Sequence, residues 1–325
     1  PNSLTQADDH FNTVLYTGDG NNSRTVTGVG FQPDWTWLKN RTNANGHTLA
    51  DAVRGANKTL SSDGTGAEVT DKSDGHLDAF TSDGFTVGAG TDDARVNNSG
   101  SNYVAWNWLA SNTTASNTDG STTSTVSANT TAGFSIVSWT GTGSATTVGH
   151  GLGAVPQVFI IKNRSVVGEW GVYHHSLTNA EQVSLFLDLD FTVSGTSSAR
   201  YNNTAPTSSV FSLGSGSLYN GSGNNMIAYC FADTGNKFFK AGSYTGNGST
   251  DGVFCFTGMR PAWIMGKRTD SANNWYMFDS TRNTSNPTDK KLRADTSDAE
   301  NVNSSKTIDI LSNGFKLRSS DEEFN

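Results

Sequence analysis

Carboxylates, imidazoles, thiols and indoles are the groups in this 325-residue chain that could do chemistry, and each class is tested first. Glycoside cleavage needs two carboxylates facing each other across a sugar. The glutamates (Glu68, Glu169, Glu181, Glu300, Glu322, Glu323) do not recur at equivalent places in the repeated segments of the chain. The aspartates gather in turns such as Asp83-Gly84, where a short acceptor supports the backbone. Calcium at Asp92-Asp93 or Asp188/Asp190 would need an Asp-x-Asp-x-Asp-Gly ladder, which is absent. No G-x-S-x-G elbow is present on a strand–helix turn. The Gly-x-Gly turns at 18–20, 141–143 and 246–248 lack the following helix of a phosphate loop and read as hairpin turns. The reading is of a protein that is not an enzyme, with no metal and no cofactor.

The indoles are the best remaining clue, because a flat ring can cover the apolar face of a pyranose. Trp35, Trp37, Trp106, Trp108 and Trp263 stand where other copies of the repeat carry Val, Ile, Tyr or Phe, the exchange that packing tolerates. Trp170 and Trp275 sit in near-equivalent polar loops, each after a strand that ends on a lysine. With His174, His175 and Tyr276 they form the candidate patch for glycan or subunit contact; a strand-edge pair with one packed ring is the plainer reading of the two histidines. Lys39, Lys162 and Lys267 form a column read as strand-end cations over packed rings, with ligand contact as the alternative.

These residues are positioned by a stretch used three times. Tyr16-Thr17-Gly18-Asp19-Gly20 returns as Trp139-Thr140-Gly141-Thr142-Gly143 and as Tyr244-Thr245-Gly246-Asn247-Gly248. Each copy has a Phe five residues upstream (Phe11, Phe134, Phe239) and a Pro seventeen residues downstream (Pro33, Pro156, Pro261). After each Pro comes an apolar strand closing on the lysine column. Trp35, Trp37 and Lys39 share one face and Thr36 and Leu38 the other. Val104, Trp106 and Trp108 share a face of the strand that closes the first copy; Ile227, Tyr229 and Phe231 answer to them in the second. Leu185, Leu187, Leu189 and Phe191 alternate with Phe186, Asp188 and Asp190 as a half-buried strand would, and Thr178–Leu185 is the one stretch with room for a short helix.

The fold expected is all-β: three tandem β-sandwich-like repeats, of jelly-roll or lectin-like type. Residues 1–10 form an arm, 11–111 the first repeat, 112–133 a Ser/Thr/Asn-rich connector able to be partly strand-like, 134–233 the second repeat and 234–325 the third. The third stops about ten residues short of the template, before its closing strand. Truncation of the chain is the expectation preferred over a strand donated by a neighbouring subunit, since residues 1–10 are too polar to be the donor.

Charged residues make up 16% of the chain, against roughly 25% in an average domain, so solubility rests on Ser, Thr, Asn and Gly. The net charge of −8 argues against a nucleic-acid partner, and no run of apolar residues is long enough to insert in a membrane. No signal peptide is evident at Pro1. Aligned on the repeat, Cys230 stands at Asn107, and Cys255 at Thr27 and His150. Two free thiols are therefore expected.

The YTGxG turn, GFQPDWTWLKNR at 30–41, SDGF at 82–85, NNSG at 97–100, VAWNW at 104–108, SNTDGSTTSTVSANTTAGFSIVSWTGTG at 116–143 and GSYTGNGSTDGVF at 242–254 together resemble a repeat of tail-fibre-like and other virion proteins of marine bacteriophages. The resemblance covers nearly the whole chain and offers no catalytic residue to carry over. It implies a virion-surface location, other virion proteins as partners, a homo-oligomer (a trimer by analogy with fibres) and adhesion to a host-surface glycan. A purely structural head or tail component, a glycan hydrolase and a non-viral extracellular filament subunit are the alternatives.

Overall fold

Short runs of large apolar and β-branched residues, broken every few positions by Gly, Asn and Ser, leave this chain no helical period long enough to propagate, and strands take its place. The structure, a computed structural model, describes residues 6–70, 73, 75–90, 95–235 and 237–325. It is all-β with several antiparallel sheets. Residues 1–5 of the expected arm and the Asp92-Asp93 pair lie outside the described residues; Ala7–Asp9 forms a single 3-10 turn.

In the first segment β1 (Phe11–Thr17), β2 (Arg24–Thr27), β3 (Trp35–Asn40), β4 (Thr48–Asp51), β5 (His76–Thr81), β6 (Gly84–Gly88) and β7 (Asn102–Trp108) form two sheets, ordered β1-β7-β3-β4 and β2-β6-β5. The last strand is thus central: β7 is inserted between β1 and β3, with Trp106 opposite both Thr13 and Trp37.

The second segment runs β8 (Ala115–Asn117), β9 (Ser124–Asn129), β10 (Phe134–Thr140), β11 (Thr146–Gly149), β12 (Pro156–Asn163), β13 (Gly171–His174), β14 (Leu185–Phe186), β15 (Val210–Leu213) and β16 (Asn225–Ala232). Its sheets are β14-β13-β12-β16-β10-β9-β8 and β11-β15, again with the closing strand β16 between the first and third strands of the segment proper. The connector supplies β8 and β9, which extend the sheet beyond β10.

The third segment contributes β17 (Phe254–Phe256), β18 (Trp263–Gly266), β19 (Tyr276–Asp279), β20 (Lys290–Arg293), β21 (Asn301–Val302), β22 (Ile308–Leu311) and β23 (Gly314–Leu317), in the orders β18-β19-β20-β21 and β17-β23-β22. Residues 239–245 form no strand, and among the described residues β18 pairs only with β19.

The glycine turns are built alike. The Asn97 Oδ1 accepts from the Asp19 N–H at 3.1 Å, that of Asn220 from Thr142 at 2.9 Å, and that of Asn325 from Asn247 at 2.9 Å. A Cβ on Gly18 would stand 2.1 Å from the Asn98 carbonyl oxygen, and one on Gly141 2.1 Å from that of Gly221, so only glycine lets these backbones approach.

Each segment encloses its own cluster between its two sheets: Leu38, Phe85 and Tyr103 in the first, Phe159, Phe211 and Ala228 in the second, Ile264, Phe278 and Phe315 in the third. The opposite faces of the three large sheets meet in a fourth, shared core. Trp35, Trp106 and Trp108 come to it from the first segment, Phe134, Ile160 and Tyr229 from the second, Trp275, Met277 and Leu292 from the third. Trp35 stacks on Trp108 at 4.4 Å and on Tyr229 at 4.2 Å between ring centroids. That is why all six residues of β3 are buried rather than alternate ones.

Three local expectations fail. Residues 178–182 are turns and Leu185 already opens β14, while the one-turn helices α1 (Ser198–Tyr201) and α2 (Ser217–Asn220) lie later in the chain. Only Leu185–Phe186 of the alternating run pairs as a strand; Phe191 is 57% exposed, because the chain leaves the sheet edge to meet the third segment. Cys255 lies opposite Phe315 as Val26 lies opposite Phe85 and Val148 opposite Phe211, so its equivalents are Val26 and Val148. Loops of unequal length after the glycine turn shift the register that fixed offsets assume. Both cysteines are free.

Truncating Trp35 removes stacking partners from two segments at once. Trp35→Ala should lower unfolding free energy by about 3–5 kcal/mol, while Phe256→Ala, on a ring that is 68% exposed, should change it by less than about 0.5 kcal/mol. Urea unfolding midpoints of the two variants test this.

Candidate functional site

The polar residues with the most chemical potential meet where one segment joins the next. The lysine column comes first. Lys39 Nζ donates to the Ser297 carbonyl at 3.0 Å, Lys162 to that of Thr65 at 2.9 Å, and Lys267 to that of Asp190 at 3.1 Å. Each lysine therefore reaches out of its own segment into a neighbour. Burial pushes the Lys39 and Lys162 ammonium groups down to about 8, and lowers Lys267 as well. Lys39 also donates to the Asn40 and Asn45 carbonyls and is fully buried, so it is a bound cation rather than a nucleophile open to substrate.

The ring preceding each fourth strand does the same. A carboxylate holds its backbone N–H: Asp63 for His47 at 2.8 Å, Asp188 for Trp170 at 2.8 Å, Asp295 for Trp275 at 3.1 Å. The side chain then crosses to a carbonyl of another segment. Trp170 Nε1 donates to Ser61 at 2.9 Å and Trp275 Nε1 to Phe186 at 2.7 Å. The His47 Nδ1 accepts the Trp37 indole N–H, which can only donate. Nε2 therefore carries the proton, and it faces the Arg293 carbonyl at 2.9 Å.

Ion pairs complete two of the three junctions. Asp51 and Arg54, fully buried and paired, hold the Tyr229 hydroxyl, which donates to Asp51 at 2.7 Å. Asp279 and Arg282 hold Trp106, whose Nε1 donates to Asp279 at 3.0 Å. Glu68 takes both Arg164 and Arg54, and Glu300 takes both Arg41 and Arg282. Burial alone would raise these glutamates, but the arginines outweigh it and hold both below the usual range.

The third junction is built from other residues. His174 stands at the strand end where the others have Asp51 and Asp279, and Leu177 where they have Arg54 and Arg282. The Val193 N–H donates to the Thr269 carbonyl as Glu68 does to Arg164 and Glu300 to Arg41. A cavity of about 640 Å³ opens here, between Ser176, Leu177 and Thr178 on one side and Ser243, Tyr244 and Thr269 on the other. Its polar lining consists of hydroxyls, and burial pushes the Tyr244 phenol up to about 12.

Of the expected patch, Trp170, Trp275 and Tyr276 are interior, at 0%, 5% and 2% exposure. The two indoles serve different junctions, so no common stacking surface for a glycan forms; a large ring just before a strand is used to clamp the next segment. His174 is half-buried and held at about 4 by burial beside His175, which is exposed. Both histidines hydrogen-bond Ser176 at the cavity edge. Leu177, Val193, Tyr244 and Thr269 were missed. Their signal is a break in two charged columns, Asp51/His174/Asp279 and Arg41/Arg164/Thr269, legible only once the repeat is extended past its aromatic positions. The Asp188 carboxylate accepts the Trp170 N–H and the Asp190 backbone carbonyl accepts from the Lys267 ammonium, and no group of three or more metal-ligating side chains exists among the described residues.

Residues 6–325 match a family described as a domain of unknown function (DUF7483), and the chain belongs to it. No curated protein and no solved structure matches the chain.

Burial raises the Asp295 carboxyl to about 6. Because this folded value exceeds the unfolded one, the folded state holds the extra proton between about pH 4 and 6, and stability from this group is lost as pH rises through 6. Asp295→Asn keeps an acceptor for the Trp275 N–H without the charge, and its amide N–H can donate to the Asn274 side-chain oxygen once that amide, which now donates to Asp295, turns over. It should be more stable than the parent at pH 7, by on the order of 2 kcal/mol, with the gap closing at pH 4. Urea midpoints at the two pH values measure it.

Proposed function

We propose that this member of the DUF7483 family is a non-catalytic surface protein of a phage particle, a tail fibre or similar appendage, that adheres to host-surface glycan. Its chain is read as three copies of one β-sandwich-like unit around a common core. The observation that carries the non-catalytic reading is where the reactive groups go: the lysines, the Asp–Arg pairs and the rings of His47, Trp170 and Trp275 are spent joining one copy to the next. The virion location rests on the resemblance of the turn and strand motifs to virion repeats. Assembly into a homo-oligomer, with other virion proteins as partners, would turn weak single contacts into avidity.

The geometry favours the outer face of β17 as the glycan contact. Phe254 and Phe256 project from the same side of an edge strand, 41% and 68% exposed. The corresponding positions are Thr25 and Thr27 in the first copy and Thr147 and Gly149 in the second. Flat rings on a rigid strand suit the apolar face of a sugar.

Saturable binding of the purified chain to host cell-envelope polysaccharide is expected, with the paired variant Phe254→Ala/Phe256→Ala losing about tenfold or more in affinity, roughly 1.4 kcal/mol. Absence of binding would leave a purely structural virion role. Release of oligosaccharides by the pure protein would overturn the non-catalytic reading.

A further inference from the structure

In the first two segments the strand between the first and third strands comes last in sequence, and it is the most completely paired of all. β7 is paired along its whole length with β1 and along six residues with β3; β16 stands likewise between β10 and β12. The third segment has the flanking parts of this arrangement, residues 239–245 and β18, with no strand between them among the described residues. Residues 263–266 of β18 are only partly buried apart from Ile264, whereas β3 is buried throughout. Tyr16 is buried and stacks on Tyr103 of its closing strand at 4.9 Å; its counterpart Tyr244 is 37% exposed. The Arg41 and Arg164 N–H groups bind the Asn102 and Asn225 carbonyls that begin the closing strands, and the residue in their place, Thr269, lines the cavity instead.

The junctions say the same from the other side. Trp106 of β7 is received by Asp279 and Arg282, and Tyr229 of β16 by Asp51 and Arg54. His174 and Leu177 occupy the receiving position of the third junction, and Leu177 borders the cavity.

Resting on the reading of three copies of one unit, we propose that the slot between residues 239–245 and β18 binds one extended peptide strand that is not among the described residues. That strand has the closing pattern: apolar residues at its second and third positions, alanine at its fourth, a large ring at its fifth and an apolar ring at its seventh. The pattern is what Asn102–Trp108 and Asn225–Phe231 share. Its backbone completes the open edge of β18, opposite Trp263–Arg268 in the register that β7 takes on Trp35–Asn40. Its third, fifth and seventh side chains enter the shared core beside Trp263 and Met265, and the ring at the fifth position comes to lie against Leu177. His174, held neutral at physiological pH, asks for no charged partner there.

Synthetic peptides of sequence Asn102–Trp108 and Asn225–Phe231, carrying two terminal lysines for solubility, can be titrated into the full chain. Amide hydrogen exchange can then be followed with and without them. One-to-one saturable binding of at least one peptide is expected, with exchange slowed about tenfold or more at residues 239–246 and 263–269. N-methylation of alternate peptide residues keeps the side chains but removes the pairing, and should weaken binding about tenfold or more. Absence of binding, equal binding of the methylated peptide, or binding without new protection at those residues overturns the proposal. Amides of β18 as protected as those of β3 and β12 before any peptide is added would show the edge already paired and would also overturn the proposal, whereas failure of the three segments to superpose in a crystal structure would overturn the three-copy reading itself.

Discussion

A sheet with one apolar face is satisfied by one partner layer; the large sheets here are apolar on both faces. Their second faces can be kept from water only by one another, and this is the constraint on which the rest depends. Trp35, Trp106, Trp108, Phe134, Tyr229, Phe231, Trp275 and Met277 meet in the centre because each segment has an inner cluster of its own and a surplus face besides. Rings of this size bury far more surface than aliphatic side chains, so few positions suffice to hold the segments together.

A shared core of this kind leaves a rim where strand ends from different segments come together with their polar backbone groups. Those groups must find partners, and lysine ammoniums, indole N–H groups and one imidazole supply them. Buried ion pairs such as Asp51–Arg54 and Asp279–Arg282 add little net stability against apolar replacements, but breaking either would strand a charge in the interior. Their value is in orientation: each presents an acceptor at one place and so fixes where the ring of the adjoining segment sits. The third junction has no such pair among the described residues, and it is also where the cavity lies.

On the proposed reading, function is carried by surfaces rather than by a cleft. The lysine column, the Asp–Arg pairs and the rings of His47, Trp170 and Trp275 are occupied in architecture. Phe254 and Phe256 mark one such surface, on an edge strand where the other segments place small polar residues or glycine.

The amino-acid sequence by itself determined the all-β class, the inward faces of strands such as β3 and β7, and the recurrence of its turn motifs, because alternation, glycine turns and prolines act within a few residues of each other. Trp35 and Trp37 on one face and Leu38 on the other, the answering of Tyr229 to Trp106, and the place of Cys230 are local matters of this kind. The uses of Trp170, Trp275 and Tyr276 were not legible. A polar loop around a tryptophan reads the same whether the ring faces water or a neighbouring segment some hundred residues away in the chain. Cys255 was misplaced for the complementary reason: only the pairing with Phe315 reveals how many residues the preceding loop absorbs. Tertiary structure alone decided that the second faces of three sheets share one core, and that the strand closing each of the first two segments is central. Contacts between residues so far apart in sequence depend on the packing of whole sheets, which no local pattern encodes.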